Sequence, residues 1–359
     1  MTIHQFLTSY SDGDAISNEA LEIRNFLRGH HHESEIFSFR IESENACPVF
    51  NYLEYDRFSH PDNIAILHFS IGSPITETFL QIPGKKVIIY HNITPHDFYL
   101  DYHPVLTRDC YEGRRELKRL ADPANRIDLA LGDSQYNAQE LQDAGFSHTG
   151  VLPLLLNFEK FDIPVTPVLN ELFDDGNVNI LFVGRLVPNK KVEDVIKTFY
   201  FYQTHFNPHS RLFLVGKSDV VERYHFVLRD LVRKLNLKHV HFTGHIPDDE
   251  LIAYFKLSHL YLHLSEHEGF CAPIPESYYL NIPVVAFNAA AVKETMNNGG
   301  ILVNRKDFPE MAALIHHILT VPELKTSILE AQRQALESYF QNKTGQILLD
   351  YLLHLSSHD

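Results

Sequence analysis

The chain has 359 residues, about twice a typical domain, so two domains of similar size are expected. Hydrophobic residues make up 44% and charged residues 21%, which suits a soluble globular protein with two cores and no need of a disulfide or metal staple. The formal charge of −15, from 46 acidic and 31 basic residues, excludes a uniformly basic nucleic-acid footprint while leaving room for a local basic patch that holds an anionic ligand.

At the N-terminus, residues 1–6 show no basic region leading into a long apolar stretch, and no later run approaches the ~18 apolar residues of a spanning helix. Cys47, Cys110 and Cys271 are far apart and form no C-x-x-C pair, which argues against a thiolate zinc centre and for a reducing compartment. A cytoplasmic protein is therefore expected, and the sequons at Asn92 and Asn342 are chance matches.

In the first half, strands are expected at 3–8, 35–39, 64–69, 86–90 and 129–132, with helices at 18–28, 73–81, 108–119 and 135–144. The strands are apolar on both faces, as in a parallel sheet covered by crossover helices. Gly13-Asp14 lies between the first strand and first helix, and Ser17 or Asn18 there is a candidate helix cap. His30-His31-His32 follows that helix, and three adjacent side chains on a helix diverge, so a solvated end is expected rather than a metal site. His91 falls just after a buried strand, where it is either a site residue or a core histidine satisfied by backbone. Asp133-Ser134 follows the next strand, with Ser134 either a ligand contact or a helix cap.

Residues 153–177, with Pro153, Pro164, Pro167 and the turn Asp174-Asp175-Gly176, are expected to connect the two halves. The alternation then restarts, with strands at 179–183, 211–215, 239–243, 260–263, 284–287 and 301–303. Helices are expected at 192–205, 220–235, 248–255, 274–280 and 309–320, and a last one at 323–354 bent near Gly345. Three stretches at strand ends carry chemistry. Gly184-Arg185-Leu186-Val187-Pro188-Asn189-Lys190-Lys191 offers two fixed cations. Thr243-Gly244-His245-Ile246 follows a strand. Glu268-Gly269-Phe270-Cys271-Ala272-Pro273-Ile274-Pro275-Glu276 places two carboxylates around a glycine and a proline-rich helix entry.

The last stretch resembles the E-x7-E element of family 4 glycosyltransferases, usually E-G-F-G-L-P-x-x-E, with Cys271 for the usual Gly and Ala272 for the usual Leu. The Arg185/Lys190 stretch resembles the family's G-R-x-x-x-x-K-G signature, with Lys191 where Gly is frequent, and 240–251 resembles its F-x-G-x-V/I-x-x-x-E-L stretch. The resemblance implies a GT-B fold: two doubly wound Rossmann-like α/β domains facing across a cleft, 1–160 on the acceptor side and 161–339 on the donor side. The helix at about 340–359 would pack back on the first domain. It also implies retaining transfer of a hexose from a sugar nucleotide, UDP-glucose first, other UDP-hexoses next and GDP-mannose after.

By the same resemblance, Glu268 meets donor-sugar hydroxyls, Glu276 the ribose, and the amides of Phe270, Cys271 and Ala272, beside Gly269, the sugar and phosphate. Arg185 and Lys190 stabilise the departing diphosphate, His245 and Ile246 touch the base, and Gly13 and Asp14 lie by the donor. His91 is the leading catalytic or acceptor-positioning residue, with Ser134 on the acceptor side. The acceptor is a saccharide or lipid-linked saccharide of polysaccharide assembly, which makes peripheral contact with the inner face of a membrane compatible, although no amphipathic basic helix is evident. No cofactor is implied beyond the donor substrate, and with two cations at the leaving group and no D-x-D beside them, no metal. No nucleic-acid partner is expected, and the oligomeric state is open. Two rivals are a sugar-nucleotide 2-epimerase and a non-catalytic sugar-nucleotide-binding subunit. A nicotinamide dehydrogenase fails because no strand is followed by G-x-G-x-x-G.

Overall fold

The computed structural model describes residues 1–11, 13–42, 48–164, 167–341 and 343–356. Cys47 and the sequon residue Asn342 lie outside them. Two compact units emerge, one of residues 1–97, 105–157 and 342–359, the other of residues 98–104 and 158–341.

The first unit is built from β1 (Ile3–Ser11), α1 (Ala15–Gly29), β2 (Ile36–Glu42), β3 (Phe50–Asn51), β4 (Ile64–Phe69), α2 (Ile75–Gln81), β5 (Lys85–Tyr90), α3 (Pro104–Leu120), β6 (Leu129–Gly132), α4 (Gln135–Ala144) and β7 (Thr149–Val151). Its seven strands are all parallel, in the order β3-β2-β1-β4-β5-β6-β7. The short edge strands β3 and β7 carry too few apolar residues to show as strands in the sequence.

In the second unit, α5 (Pro167–Phe173) precedes β8 (Val178–Val183), α6 (Val192–His205), β9 (Ser210–Val215), α7 (Glu222–Lys234), β10 (Val240–Gly244), α8 (Asp248–Lys256) and β11 (Leu260–His263). Then come α9 (Pro273–Tyr279), β12 (Val284–Phe287), α10 (Val292–Met296), β13 (Ile301–Val303), α11 (Phe308–Thr320) and α12 (Pro322–Gln341). Its sheet runs β10-β9-β8-β11-β12-β13, again parallel throughout.

Each sheet is wound outward from a central strand in one direction, then in the other. The seam lies between β1 and β4 in the first unit and between β8 and β11 in the second. Connections leaving the two seam strands diverge to opposite faces, so a crevice opens at the carboxyl ends there, where doubly wound sheets bind ligands.

Some elements differ from the sequence expectation for local reasons. The stretch expected to be only a connection contains α5, because Pro167 sits at a helix start, where its fixed φ and missing N–H cost nothing. Arg211, buried in β9, fastens the turn after α5 by bonding both Asp175 oxygens, at 3.1 and 2.6 Å. The last helical stretch forms two helices, α12 ending at Gln341 and α13 (Thr344–Ser356), so Gly345 lies inside the first turn of α13, which belongs to the first unit. Gly345 is needed for close approach, since an added Cβ would strike the Phe26 ring of α1 at 2.5 Å. Leu348 and Leu352 of α13 join Ile23, Leu27, Ile66, Ile89 and Leu131 in the core, each such burial contributing about 1.5–3 kcal/mol.

Beside the seam of the second unit, Gly216 follows β9 at φ +141°, and a Cβ there would run into the Gly184 carbonyl. This close pass brings the chain after β9 against the start of the Arg185 loop. Gly216→Ala combines a left-handed backbone with a backbone clash and should lower unfolding free energy by ~2 kcal/mol or more. Denaturant unfolding checks this, with Gly176→Ala as the contrast because nothing within 4 Å meets its Cβ.

Candidate functional site

In the second unit, the chain leaving β8 turns through Gly184 and Arg185 into a single helical turn, Pro188–Lys190, and the chain leaving β11 runs through Ser265 to Glu268. These loops follow the two seam strands, and Asn189 ties them together. Its Nδ2 donates to the His267 carbonyl (3.0 Å), while its own carbonyl accepts from Ser265 Oγ (3.0 Å) and the Glu266 amide (2.9 Å). So held, Lys190 Nζ donates to both Glu268 oxygens at 2.6 Å. Glu268 is buried and the Lys190 side chain is 18% exposed.

His263, the last residue of β11, adds a third contact, with Nε2 3.1 Å from Glu268 Oε1. Burial alone would raise the Glu268 pKa, but the Lys190 charge and the His263 hydrogen bond hold it well below the usual range, so the carboxylate stays ionised. Cys271 is buried beside them at φ +84°, a conformation that favours glycine, and burial together with the Glu268 charge pushes its thiol well up.

The second carboxylate of the motif, Glu276, is buried in α9 and accepts from Lys160 Nζ at 2.8 Å. Lys160 was invisible to motif reading because it stands in an irregular segment with no pattern of its own. Gly269 and Phe270 continue the loop, and Ala272 leads directly into α9. Arg185 is exposed, and its side chain bonds no described residue. His245 and Ile246 follow β10, the edge strand two places from β8, so the topology sets them apart from the Lys190–Glu268 pair.

The first unit also concentrates polar groups at its strand ends. Gly13, at φ +73°, and Asp14 follow β1. Asp14, rather than Ser17 or Asn18, caps α1, its Oδ2 accepting from the Ile16 and Ser17 amides at 3.2 Å, so the helix starts three residues earlier than expected. Ser134 is buried and caps α4 by accepting from the Asn137 amide at 3.2 Å. Asn92, at φ +69°, is buried with its Nδ2 on Asn137 Oδ1 (2.7 Å), which removes that sequon side chain from the surface.

The His91 ring is only 3% exposed and both its nitrogens are engaged. Nδ1 is 3.2 Å from Asp133 Oδ1 and 3.5 Å from Glu19 Oε2, while Nε2 is 2.9 Å from His68 Nδ1. The hydrogen-bond directions follow from the far end of the chain. Gln5 Nε2 donates to the Ala20 carbonyl, so Gln5 Oε1 must accept from His68 Nε2. His68 therefore accepts at Nδ1 from His91, whose other N–H faces Asp133, and His91 is an imidazolium.

The electrostatics agree. Burial would lower the His91 pKa, but Asp133 and Glu19 raise it to about 9, whereas burial and the His91 charge hold His68 well below its ordinary value. Burial, opposed by His91 and reinforced by Asp133, pushes Glu19 up to about 8. One cation and one anion then balance, with Glu19 neutral at neutral pH.

The family profile described as Glycosyl transferases group 1 matches residues 170–335, which fall wholly within the second unit. Residues 170–335 form a group 1 glycosyltransferase domain. Lys190, Glu268 and Glu276 all lie in this domain. A 41.2 kDa protein of the capsule region of Klebsiella pneumoniae is 28% identical over 84% of this chain and 82% of its own. The O-antigen chain mannosyltransferase B of Escherichia coli is 24% identical over 48% of this chain, and the match spans 45% of that protein. Anabaena HepE, solved in complex with UDP-glucose, superposes with a TM-score of 0.75 at 17% identity, covering 98% of this chain and 99% of its own. The fold is GT-B, two parallel doubly wound sheets matching such structures.

Gln5, Glu19, His68, Tyr261 and His263 had escaped motif reading. A signal existed for His68, because β4 is otherwise wholly apolar and buried, and a polar residue there must find a partner.

His91 and Glu19 both bind protons more tightly folded than unfolded. The stability they contribute is complete below their ordinary values and is lost as pH rises through the folded ones, so both act in one direction between pH 6.5 and about 8, with His91 alone continuing to about 9. The thermal midpoint should fall over that window, and less steeply in His91→Gln. Equal slopes in the two proteins would refute the imidazolium assignment.

Proposed function

We propose that the protein is a retaining glycosyltransferase that moves a hexose, glucose first, from a UDP-sugar to a saccharide or lipid-linked saccharide during polysaccharide assembly. The observation that carries this reading is the buried Lys190–Glu268 pair at the β8/β11 seam of a group 1 glycosyltransferase domain. HepE, a solved structure of the same fold, holds UDP-glucose, which supports a UDP-sugar donor. A relative from a cps region and an O-antigen chain mannosyltransferase support a polysaccharide setting.

In this reading Lys190 and the unengaged Arg185 bind the diphosphate and stabilise the charge that grows on it as the glycosidic bond breaks. Glu268 accepts from donor-sugar hydroxyls once Lys190 turns toward phosphate, and Glu276 accepts from the ribose. Glu268 is shared by Lys190 and His263 and is a hydrogen-bond acceptor rather than a nucleophile. Attack is therefore front-face, with the departing phosphate taking the acceptor proton. His91, already protonated and enclosed, acts on the acceptor side by its charge and by fixing Asp133, not as a free base. No metal enters this chemistry. Among the described residues no helix is long and apolar enough to cross a membrane, so a lipid-linked acceptor would be met by peripheral contact.

A second donor, GDP-mannose, is favoured by the mannosyltransferase relative. Calorimetry with UDP, GDP, ADP, UDP-glucose, UDP-GlcNAc and GDP-mannose separates the readings. UDP and UDP-glucose should bind, with at least tenfold weaker binding in Arg185→Ala, about 1.4 kcal/mol. A guanine preference moves the donor to GDP-mannose, and no binding by any nucleotide removes the donor site. UDP-GlcNAc turnover without acceptor would mark a 2-epimerase instead.

Transfer should persist in excess chelator. Loss of activity there would end the metal-independent account. Glu268→Ala should abolish transfer while nucleotide still binds; if wild type shows no transfer or hydrolysis with any donor, the chain is a binding subunit.

A further inference from the structure

The amino ends of the first sheet frame an open cavity of about 1610 Å³ that holds none of the residues assigned to donor or acceptor. It lies at the opposite edge of that sheet from His91, about 20 Å away along the length of β4.

Strand register builds its floor. His4 pairs with Ala65 and Ala65 with Lys86, so His4 and Lys86 stand in one row on the same sheet face, with Ala65 between them. Both line the cavity, and they are only 3% and 7% exposed. The Glu35 amide donates to His4 Nδ1 at 3.2 Å, and burial, opposed by the Glu33 charge, lowers the His4 pKa to about 4. The neutral ring therefore carries its hydrogen on Nε2. That N–H and the Lys86 ammonium bond no described residue.

At the wall, Ser34 Oγ and Glu35 Oε2 are buried with no hydrogen-bond partner among the described residues. Arg126 adds a third donor. It stands at φ +52°, a left-handed conformation that glycine would hold without strain, and its side chain bonds no described residue. Native interiors seldom leave so many polar groups unspent in one place unless a hydrogen-bonding ligand uses them.

The charge balance names the ligand class. Five Lys and Arg side chains and four Asp and Glu line the cavity, so donors and acceptors are nearly matched. The last turns of α1, α2 and α13 reach it through Arg28, Gln81 and Ser356, and that end of a helix carries partial negative charge. This opposes a phosphate or a nucleotide, while the Lys86 and Arg126 charges oppose a metal ion. Hydroxyl groups suit both sets, because each donates to a carboxylate or carbonyl and accepts from an ammonium, a guanidinium or an imidazole N–H.

We infer that this cavity binds a neutral saccharide chain through Lys86, Arg126 and His4, remote from the reacting end. Resting on the polysaccharide reading above, the ligand is the glycan being extended, and the cavity keeps it attached between transfers.

Calorimetry on the full chain with saturating UDP tests this, using maltopentaose, laminaripentaose, cellopentaose and mannopentaose as probes. At least one should bind, and at least tenfold more weakly in Lys86→Met and in Arg126→Gly. Methionine keeps an apolar stem in the place of the buried lysine, and glycine suits the left-handed backbone, so both variants should fold, as circular dichroism checks. UDP affinity should stay within about twofold of wild type in both. A wild type that binds none of the four, or variants that bind as wild type does, would overturn the site. Binding of inorganic phosphate in place of the saccharides would overturn the ligand class. Saccharide binding that depends on Lys86 and Arg126, in a chain that binds no nucleotide, keeps the cavity site and removes the donor reading.

Discussion

A carboxylate taken out of water must be given a cation, and in the second unit that requirement is met by Lys190 at the seam of the sheet. Breaking such a pair by removing one partner typically costs about 3–5 kcal/mol, because the other charge stays buried and alone. The pair is therefore poor value as a device for stability alone, since well-packed apolar residues would serve as well. Its position explains it better. The loops after β8 and β11 are brought together only because the winding reverses there, and Asn189 locks them in register. On the proposed function, an ammonium and a carboxylate that both face the donor satisfy each other until it arrives.

The first unit solves a similar problem differently. Four polar side chains from β4, α1 and the ends of β5 and β6 meet in the interior, and a relay of hydrogen bonds from Gln5 through His68 fixes the proton on His91 Nε2. In the second unit a lysine carries the positive charge. In the first the cation is a histidine, which would be neutral at pH 7 without the carboxylates beside it. That dependence makes the first unit the pH-sensitive half of the chain.

The large features of the fold were legible because they rest on period and punctuation. Every strand of the second sheet was readable from its apolar run, and α6 from its spacing, since buried parallel strands and amphipathic helices leave strong local marks. β3, β7, α5 and α10 were not, being too short for a period to register. The candidate site divides along the same line. Glu268, Glu276, Arg185 and Lys190 are spaced within two contiguous stretches and could be found from spacing and resemblance. Lys160, Gln5, Glu19 and His68 reach their partners from 23 to 116 residues away in the chain, so only the fold brings them together.

Cys271 joins these threads. Its backbone lies at φ +84°, where glycine would sit without strain and where a side chain costs of order 1–3 kcal/mol. A merely tolerated substitution would be expected to point its side chain away from a buried charge. Here the sulfur lies against His263 and beside Glu268, in the most electrostatically constrained part of the unit. Burial, reinforced by the negative charge of Glu268, disfavours a thiolate there and keeps the sulfur protonated.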